Sequence, residues 1–160
     1  MTARLDAFSA AFQKRITFSE VDAVGYVHHA NAAIWFEQAR ETYFRKFQIP
    51  FLELSKAGVY LAMRALQVRY EEFVGYDDVI EVRVAMTRLL RVSLQMHYRV
   101  DNLRTGKLAV SGSTTLVAVE TKRPGEPPGI GRIRFGREDF LPRLLTLAEL
   151  YPETGGSSEN

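Results

Sequence analysis

The stretch FSEVDAVGYVHHANAAIWFEQAR, residues 18–40, decides how this chain folds, because it joins a short alternating segment to a strongly apolar helical pattern. An acid, Asp22, is followed three residues later by Gly25, and two histidines, His28 and His29, then open the apolar run. Ionisable residues gathered beside a buried element are candidates for a functional site. The junction therefore bears on both the fold and the function.

The residues beyond the two histidines follow a helical period. Apolar residues recur at steps of three and four, which is the pattern of a helix with one buried face. The stripe consists of Ala32, Phe36, Ala39, Tyr43 and Phe47, and Trp35 widens it. Before the junction, KRITFSE alternates, with Ile16 and Phe18 on one face. We predict a strand over residues 14–20, a long helix over about 29–47 and a further helical turn within 51–58.

The chain up to residue 120 then reads as strands. Four segments alternate apolar and polar residues between short turns: LQVRYEEF (66–73), VIEVRVAM (79–86), RVSLQMHYRV (91–100) and LAVSGSTTLVAVE (108–120). Such runs predict an antiparallel sheet with one face covered, and the long helix is the obvious cover. The predicted fold class is therefore α+β. We expect one domain over residues 1–150, ending in a helix over about 139–150, and a flexible tail over 151–160.

Composition sets the class of protein. With 160 residues, 46% of them hydrophobic and 25% charged, the chain resembles an ordinary globular domain. It has no cysteine, which excludes disulfides, thiolate nucleophiles and cysteine-ligated zinc. No apolar run is long enough to span a bilayer, and the N-terminal segment lacks the apolar core of a signal peptide, so we expect a cytoplasmic protein. The net charge of +2 gives no reason to expect a nucleic-acid partner.

A local group of basic residues lies in the Pro/Gly-rich segment TKRPGEPPGIGRIRFGR, residues 121–137. Its members are Lys122, Arg123, Arg132, Arg134 and Arg137. Such a cluster suits either contact with a small phosphorylated ligand or simple solvation of a loop.

The junction also has the chemistry of a reaction centre. The first turn of a helix leaves backbone N–H groups unpaired and carries partial positive charge. Gly25 permits a tight entry and a close approach of a ligand to the backbone. A carboxylate such as Asp22, placed beside these donors, can attack a carbonyl or activate water while the donors stabilise the oxyanion. The alternative is that Asp22 only caps the helix or folds the turn.

Metal and cofactor sites are not expected from the sequence. The side chains of His28 and His29 diverge by about 100° on a helix, which makes joint chelation of one ion difficult. The third histidine, His97, lies on a different predicted strand. No Ser-centred nucleophile elbow, phosphate-binding glycine loop or dinucleotide fingerprint is present.

The longer segment FSEVDAVGYVHHANAAIWFEQARETYF, residues 18–44, resembles the signature of a branch of the hotdog superfamily. That branch contains the 4-hydroxybenzoyl-CoA thioesterase-like enzymes, including the Tol-Pal-associated acyl-CoA thioesterases. The residues that match its pattern in register are Asp22, Gly25, Val27, His29 and Asn31. The later predicted strands match as well, so the resemblance covers roughly residues 13–120.

The resemblance implies a hotdog fold, in which a curved antiparallel sheet wraps a long central helix. It implies homodimers that pair again into homotetramers in some relatives, with active sites at the dimer interface. The catalytic residues it implies are Asp22 and His29, whose backbone N–H polarises the thioester carbonyl and whose imidazole is a second candidate group. Implied substrate contacts are Gly25, Tyr26, His28, Asn31, Arg91 and Ser93. Tyr26 and His28 depart from the family, which has a small aliphatic and an aromatic residue there.

The predicted function is hydrolysis of an acyl-CoA thioester to a free acid and CoA. Asp22 would act as nucleophile or as general base, without a metal or other cofactor. Two alternatives stay open: a thioesterase acting on acyl-carrier protein, and a non-catalytic acyl-CoA-binding hotdog protein. The sequence does not select an acyl group, either by length or by aromatic character.

Overall fold

The computed structural model describes residues 8–49, 51–56, 59–90 and 92–120. The strands are β1 (Ser9–Arg15), β2 (Val59–Tyr70), β3 (Val79–Leu89), β4 (Ser93–Asn102) and β5 (Lys107–Glu120). The helices are α1 (Ala30–Lys46) and α2 (Phe51–Lys56), and Phe18–Glu20 is a single 3-10 turn. The predicted C-terminal helix, the tail over 151–160, the basic cluster within 121–137 and Arg91 all lie outside the described residues.

The five strands form one antiparallel sheet in the order β1-β3-β4-β5-β2. The long helix α1 packs across one face of this sheet, and the predicted α+β class is confirmed. The predicted helical turn after α1 is also confirmed, as α2. No helix in the described part of the chain is long and apolar enough to cross a membrane.

The core lies between α1 and the sheet, where the predicted stripe of the helix is buried. The fully buried side chains of α1 include Ala32, Trp35, Phe36, Ala39 and Tyr43. Alternate residues of β4 meet them: Leu94, Met96, Tyr98 and Val100. The rings of Phe36 and Tyr98 stack with their centroids 4.3 Å apart. Burial of each large side chain of this kind contributes about 1.5–3 kcal/mol, so this contact fixes the position of α1 on the sheet.

The first strand lies earlier in the chain than the alternation of residues 14–20 predicts. It ends at Arg15, and Phe18 is 79% exposed while Ile16 is 1% exposed, so the two do not share a buried face. The cause is a capping box: the N–H and the hydroxyl of Thr17 both donate to Glu20 Oε2, at 3.0 and 2.9 Å. These bonds turn the chain and end the strand.

The second strand is longer than predicted and forms one edge of the sheet. It pairs with β5 on one side, and no strand of the described residues pairs with its other side. Several of its apolar side chains are exposed, among them Met63, Leu66 and Tyr70. A long unpaired edge with an apolar face is an unstable arrangement for a chain on its own, because it offers a template for further pairing.

We predict that Gly112→Ala destabilises the fold. A Cβ at this position of β5 would lie 2.5 Å from Cε2 of Phe36 and would also meet the carbonyl of Gln67. Overpacking of this kind typically costs about 1–3 kcal/mol. The midpoint of urea unfolding measures the effect, and Ser113→Ala on the same strand serves as the control. An unchanged midpoint for Gly112→Ala would contradict the packing described above.

Candidate active site

A tight hairpin turn carries the predicted catalytic acid. Val21 and Val27 form an isolated antiparallel bridge, and the Asp22 N–H donates to the Tyr26 carbonyl at 2.8 Å. Gly25 has a φ angle of +87°, in the left-handed region that favours glycine. The turn therefore needs its glycine, and it presents Asp22 on the surface just before α1.

The two oxygens of the Asp22 carboxylate have different surroundings. Oδ1 accepts a hydrogen bond from the Val24 N–H at 2.9 Å and a longer one from the Tyr26 N–H at 3.4 Å. Oδ2 accepts none from the part of the chain that the structure describes. Asp22 thus folds the turn, as one of the two sequence interpretations proposes, but only one oxygen is occupied in doing so. The other oxygen is available to a ligand.

The N-terminal turn of α1 leaves one backbone donor available. The His28 N–H donates to the Glu20 carbonyl at 2.8 Å, and the Asn31 N–H donates to the His28 carbonyl at 3.0 Å. The Ala30 N–H donates to Nδ1 of His28 at 3.2 Å, so that imidazole acts as a helix cap. Among the described residues, the His29 N–H has no hydrogen-bond partner. It is a donor without an acceptor at the positive end of a helix.

Asp22 and His29 line the same open cleft, which has a volume of about 400 Å³. Most of the lining is apolar, with contributions from Val24, Tyr26, Ala32, Trp35, Phe73 and Val110. The rings of Tyr26 and Phe73 stack with their centroids 4.6 Å apart. An apolar cleft with a few convergent polar groups is the usual form of a small-molecule site. The structure therefore brings the two predicted catalytic residues into one such site.

Glu20 lies behind the cleft as a buried anion. Its carboxylate accepts hydrogen bonds from Lys14, from Thr17 and from Nε1 of Trp35, the last at 3.1 Å. Burial by itself would raise the pKa of Glu20, but these hydrogen bonds together lower it from 4.5 to about 2. Glu20 is absent from the site residues predicted above, although the spacing of Thr17 and Glu20 is a recognisable capping-box signal.

Tyr70, the last residue of β2, is a second site residue that the sequence does not reveal. Its hydroxyl donates to the His29 carbonyl at 2.7 Å, and burial raises the pKa of the phenol. The two residues are 41 positions apart, so no local pattern could have linked them. This bond attaches the tip of α1 to the free edge of the sheet.

The loop between β2 and β3, which forms one wall of the cleft, is held by Asp78. This buried carboxylate accepts from the Gly75 N–H at 3.0 Å and from Nδ2 of Asn102 at 2.9 Å, and it pairs with Arg104. The Arg104 guanidinium holds the pKa of Asp78 below its usual value despite burial. Phe73 and Val74 of the same loop line the cleft, so their positions depend on this network.

The residues predicted to contact substrate do not all meet in one protomer. Tyr26 lines the cleft, whereas His28 caps the helix and Asn31 binds backbone carbonyls. Ser93 pairs with Val117, which is seven residues along β5 from the cleft, or about 23 Å at the rise of a strand. No group of three His, Asp or Glu side chains among the described residues is placed to hold a metal ion.

The buried charge of Glu20 predicts a particular pH dependence of stability. Because its pKa is lowered on folding, the stabilisation is complete above pH 4.5 and is lost as the pH falls from 4.5 towards about 2. The loss amounts to at most roughly 3 kcal/mol. Urea unfolding, followed by the fluorescence of the single tryptophan, Trp35, measures it across this range.

Glu20→Gln should remove most of this acid dependence and lower stability at neutral pH. Glu37→Gln, on the exposed side of α1, is the matched control and should behave as the wild type. If the free energy of unfolding depends equally on acid pH in the wild type and in Glu20→Gln, Glu20 is not the group whose protonation destabilises the fold.

Comparison with known proteins agrees with this geometry. The family model described as Thioesterase-like superfamily matches residues 16–141. The acyl-CoA thioester hydrolase YbgC of Escherichia coli O6:H1 is 27% identical over 88 residues, which cover 55% of this chain and 66% of that protein. The chain thus spans about two thirds of the length of this curated relative.

Two solved structures from Staphylococcus aureus share the fold. A DHNA-CoA thioesterase superposes with a TM-score of 0.72 at 25% identity, covering 86% of this chain and 87% of that one. A protein solved in complex with CoA gives a TM-score of 0.73 at 13% identity, covering 93% and 90%. At that identity the second likeness concerns the fold alone. The hotdog fold is therefore confirmed, the relatives indicate a thioester hydrolase, and the chain belongs to the Thioesterase-like superfamily.

Proposed function

We propose that this protein hydrolyses acyl-CoA thioesters to a free acid and CoA. The observation that carries the proposal is that Asp22 and His29 line one apolar cleft, and that among the described residues Oδ2 of Asp22 and the His29 N–H have no hydrogen-bond partner. The similarity to an acyl-CoA thioester hydrolase and to a DHNA-CoA thioesterase supports the choice of substrate class. We place the chain in the 4-hydroxybenzoyl-CoA thioesterase-like branch, on the motif from Asp22 to Asn31.

The reaction starts at the thioester carbonyl, bound between Asp22 and the tip of α1. Asp22 Oδ2 attacks the carbonyl carbon, the C–S bond breaks, and water then hydrolyses the resulting anhydride. In the alternative route the same oxygen removes a proton from water, which attacks the carbonyl. In both routes negative charge develops on the carbonyl oxygen. The His29 N–H and the helix dipole stabilise that charge, and loss of one such donor costs about 3 kcal/mol of barrier.

The leaving group is the thiolate of CoA. We assign its protonation to the imidazole of His29, which lines the same cleft as Asp22. The acyl group lies against the apolar lining, between Ala32, Trp35 and Phe73. The bound acyl group would displace water from this lining, which strengthens the interaction between the oxyanion and its donor.

We further propose that two copies pair through β2. Antiparallel pairing of two β2 edges about a twofold axis brings the start of one strand beside the end of the other. Ser93 lies at the end of the sheet where β2 starts, since it pairs with Val117, which pairs with Ala62. Tyr70 and the cleft lie at the opposite end. Ser93 of each copy would therefore approach the cleft of the other, and two dimers can associate further into a tetramer.

The first test is the catalytic role of Asp22. Asp22→Asn should lower the rate of thiol release from aliphatic and aromatic acyl-CoAs by about 100-fold or more, because the amide cannot attack or act as a base. Asp77→Asn is the matched control: Asp77 is exposed, paired with Arg15 and outside the cleft, and its left-handed φ of 68° suits asparagine.

Release that survives Asp22→Asn would remove Asp22 from the mechanism. Acyl-CoA that raises the melting temperature without being cleaved would identify a binding protein instead. Cleavage confined to acyl groups on acyl-carrier protein would identify the other alternative.

The second test is association through β2. Leu66→Asp places a charge on the apolar face of this strand and should shift the protein to monomers and lower activity. The matched control is Leu103→Asp, because Leu103 is 44% exposed and Leu66 42%, but Leu103 lies in the turn between β4 and β5. Sedimentation equilibrium measures the mass. A Leu66→Asp protein with the mass and activity of the wild type would contradict pairing at this edge.

A further inference from the structure

We propose that Asn31 is a positioning residue that orients the His29 N–H towards the cleft, and that it is not a substrate ligand. The inference rests on the proposed function, because it concerns the donor assigned to the oxyanion. It replaces the substrate contact that the family resemblance implies for Asn31.

The side chain of Asn31 and its backbone N–H contact two backbone carbonyls, those of His28 and Glu20. Nδ2 lies 3.1 Å from the His28 carbonyl oxygen and 3.0 Å from the Glu20 carbonyl oxygen. The backbone N–H of Asn31 donates to the same His28 oxygen at 3.0 Å. The His28 carbonyl thus accepts two hydrogen bonds from one residue. A carboxamide has two N–H donors, and both are used here, so no donor remains for a ligand, while its oxygen can only accept and could not stabilise a developing oxyanion.

The geometry of the peptide bond links this carbonyl to the candidate oxyanion donor. The His28 carbonyl and the His29 N–H belong to one planar, trans peptide unit, so the two groups point in opposite directions. Holding the carbonyl towards Asn31 therefore holds the N–H on the other side. Hydrogen bonds to the carbonyl also polarise the unit and make its N–H a stronger donor.

The anchor of this arrangement is rigid. Glu20 is 8% exposed, and its carboxylate is held by Lys14, Thr17 and Trp35. Its carbonyl accepts from Asn31 and also from the His28 N–H. Asn31 therefore connects the first turn of α1 to a buried charge network, and it does not itself line the cleft.

The following peptide unit is held by different groups. The His29 carbonyl accepts from the Tyr70 hydroxyl, and the Ala30 N–H donates to Nδ1 of His28. Substitution of Asn31 therefore loosens one peptide unit and leaves its neighbour in place. Such a selective effect makes the role testable by kinetics.

The kinetic test compares Asn31→Ala and Asn31→Asp with the wild type on the acyl-CoA that it cleaves fastest. Asn31→Ala should lower kcat by about 10-fold or more and leave KM within about two-fold, the signature of a contact made in the transition state. Asn31→Asp should lower kcat at least as far, since an ionised carboxylate repels the two carbonyl oxygens. Gln38→Ala, on the exposed side of the same helix, should have no effect.

Stability separates positioning from a merely structural role. The favourable interaction of an acid with the first turn of a helix offsets the repulsion from the two carbonyl oxygens, so Asn31→Asp should lose no more stability than Asn31→Ala while losing at least as much kcat. A rise in KM at constant kcat would instead make Asn31 a substrate ligand. Losses of kcat that follow the losses of melting temperature in both variants would make it structural. Either result overturns the proposal.

A direct measurement does not depend on activity. The residual dipolar coupling of the ¹⁵N-labelled His29 amide reports the direction of its N–H bond, and it should change in Asn31→Ala while couplings elsewhere in α1 remain the same. An unchanged coupling overturns the proposal. If the wild type releases no thiol from any acyl-CoA, the proposed function fails, and the coupling still decides whether Asn31 orients this N–H.

Discussion

The structure of the candidate site depends on one buried anion, Glu20. Its carboxylate joins the end of β1 to α1 through Lys14, Thr17 and Trp35, and its carbonyl receives the first turn of the helix. A buried charge is stable only when it is fully hydrogen-bonded, so these partners are not interchangeable with apolar contacts. Glu20, two residues before Asp22, therefore both ends the first strand and sets the position of the helix tip.

The residues proposed for the chemistry at this junction also hold the local fold. Asp22 folds its turn with one carboxylate oxygen, and the residue also lines the cleft. The His28 imidazole satisfies the Ala30 N–H, which leaves the His29 N–H as the donor that faces no protein acceptor among the described residues. Asp22 and His29 are both exposed, so water or a ligand can bind the free donor and the free acceptor. The apolar cleft supplies the place for such a ligand.

The amphipathic helix and most strands could be predicted from the sequence, because their side chains alternate between one buried and one exposed face. The first half of β2 could not: it lies at an edge, none of its side chains is fully buried, and it contains a bulge between Met63 and Ala65, so no clear period arises. Asp22, Gly25 and His29 are readable because they are close in sequence. Tyr70 is not, since only the sheet brings it to the helix tip.

The hydrogen bond from Tyr70 to the His29 carbonyl has a mechanical consequence. Tyr70 is the last residue of the edge strand β2. A displacement of this edge is therefore transmitted to the backbone at the start of α1 by a hydrogen bond of 2.7 Å. By thermodynamic linkage, a partner that binds the β2 edge changes the order of the first turn of α1. A ligand bound at that turn likewise changes the affinity of the edge for its partner. In the proposed dimer, assembly and turnover would thus be joined through one phenol.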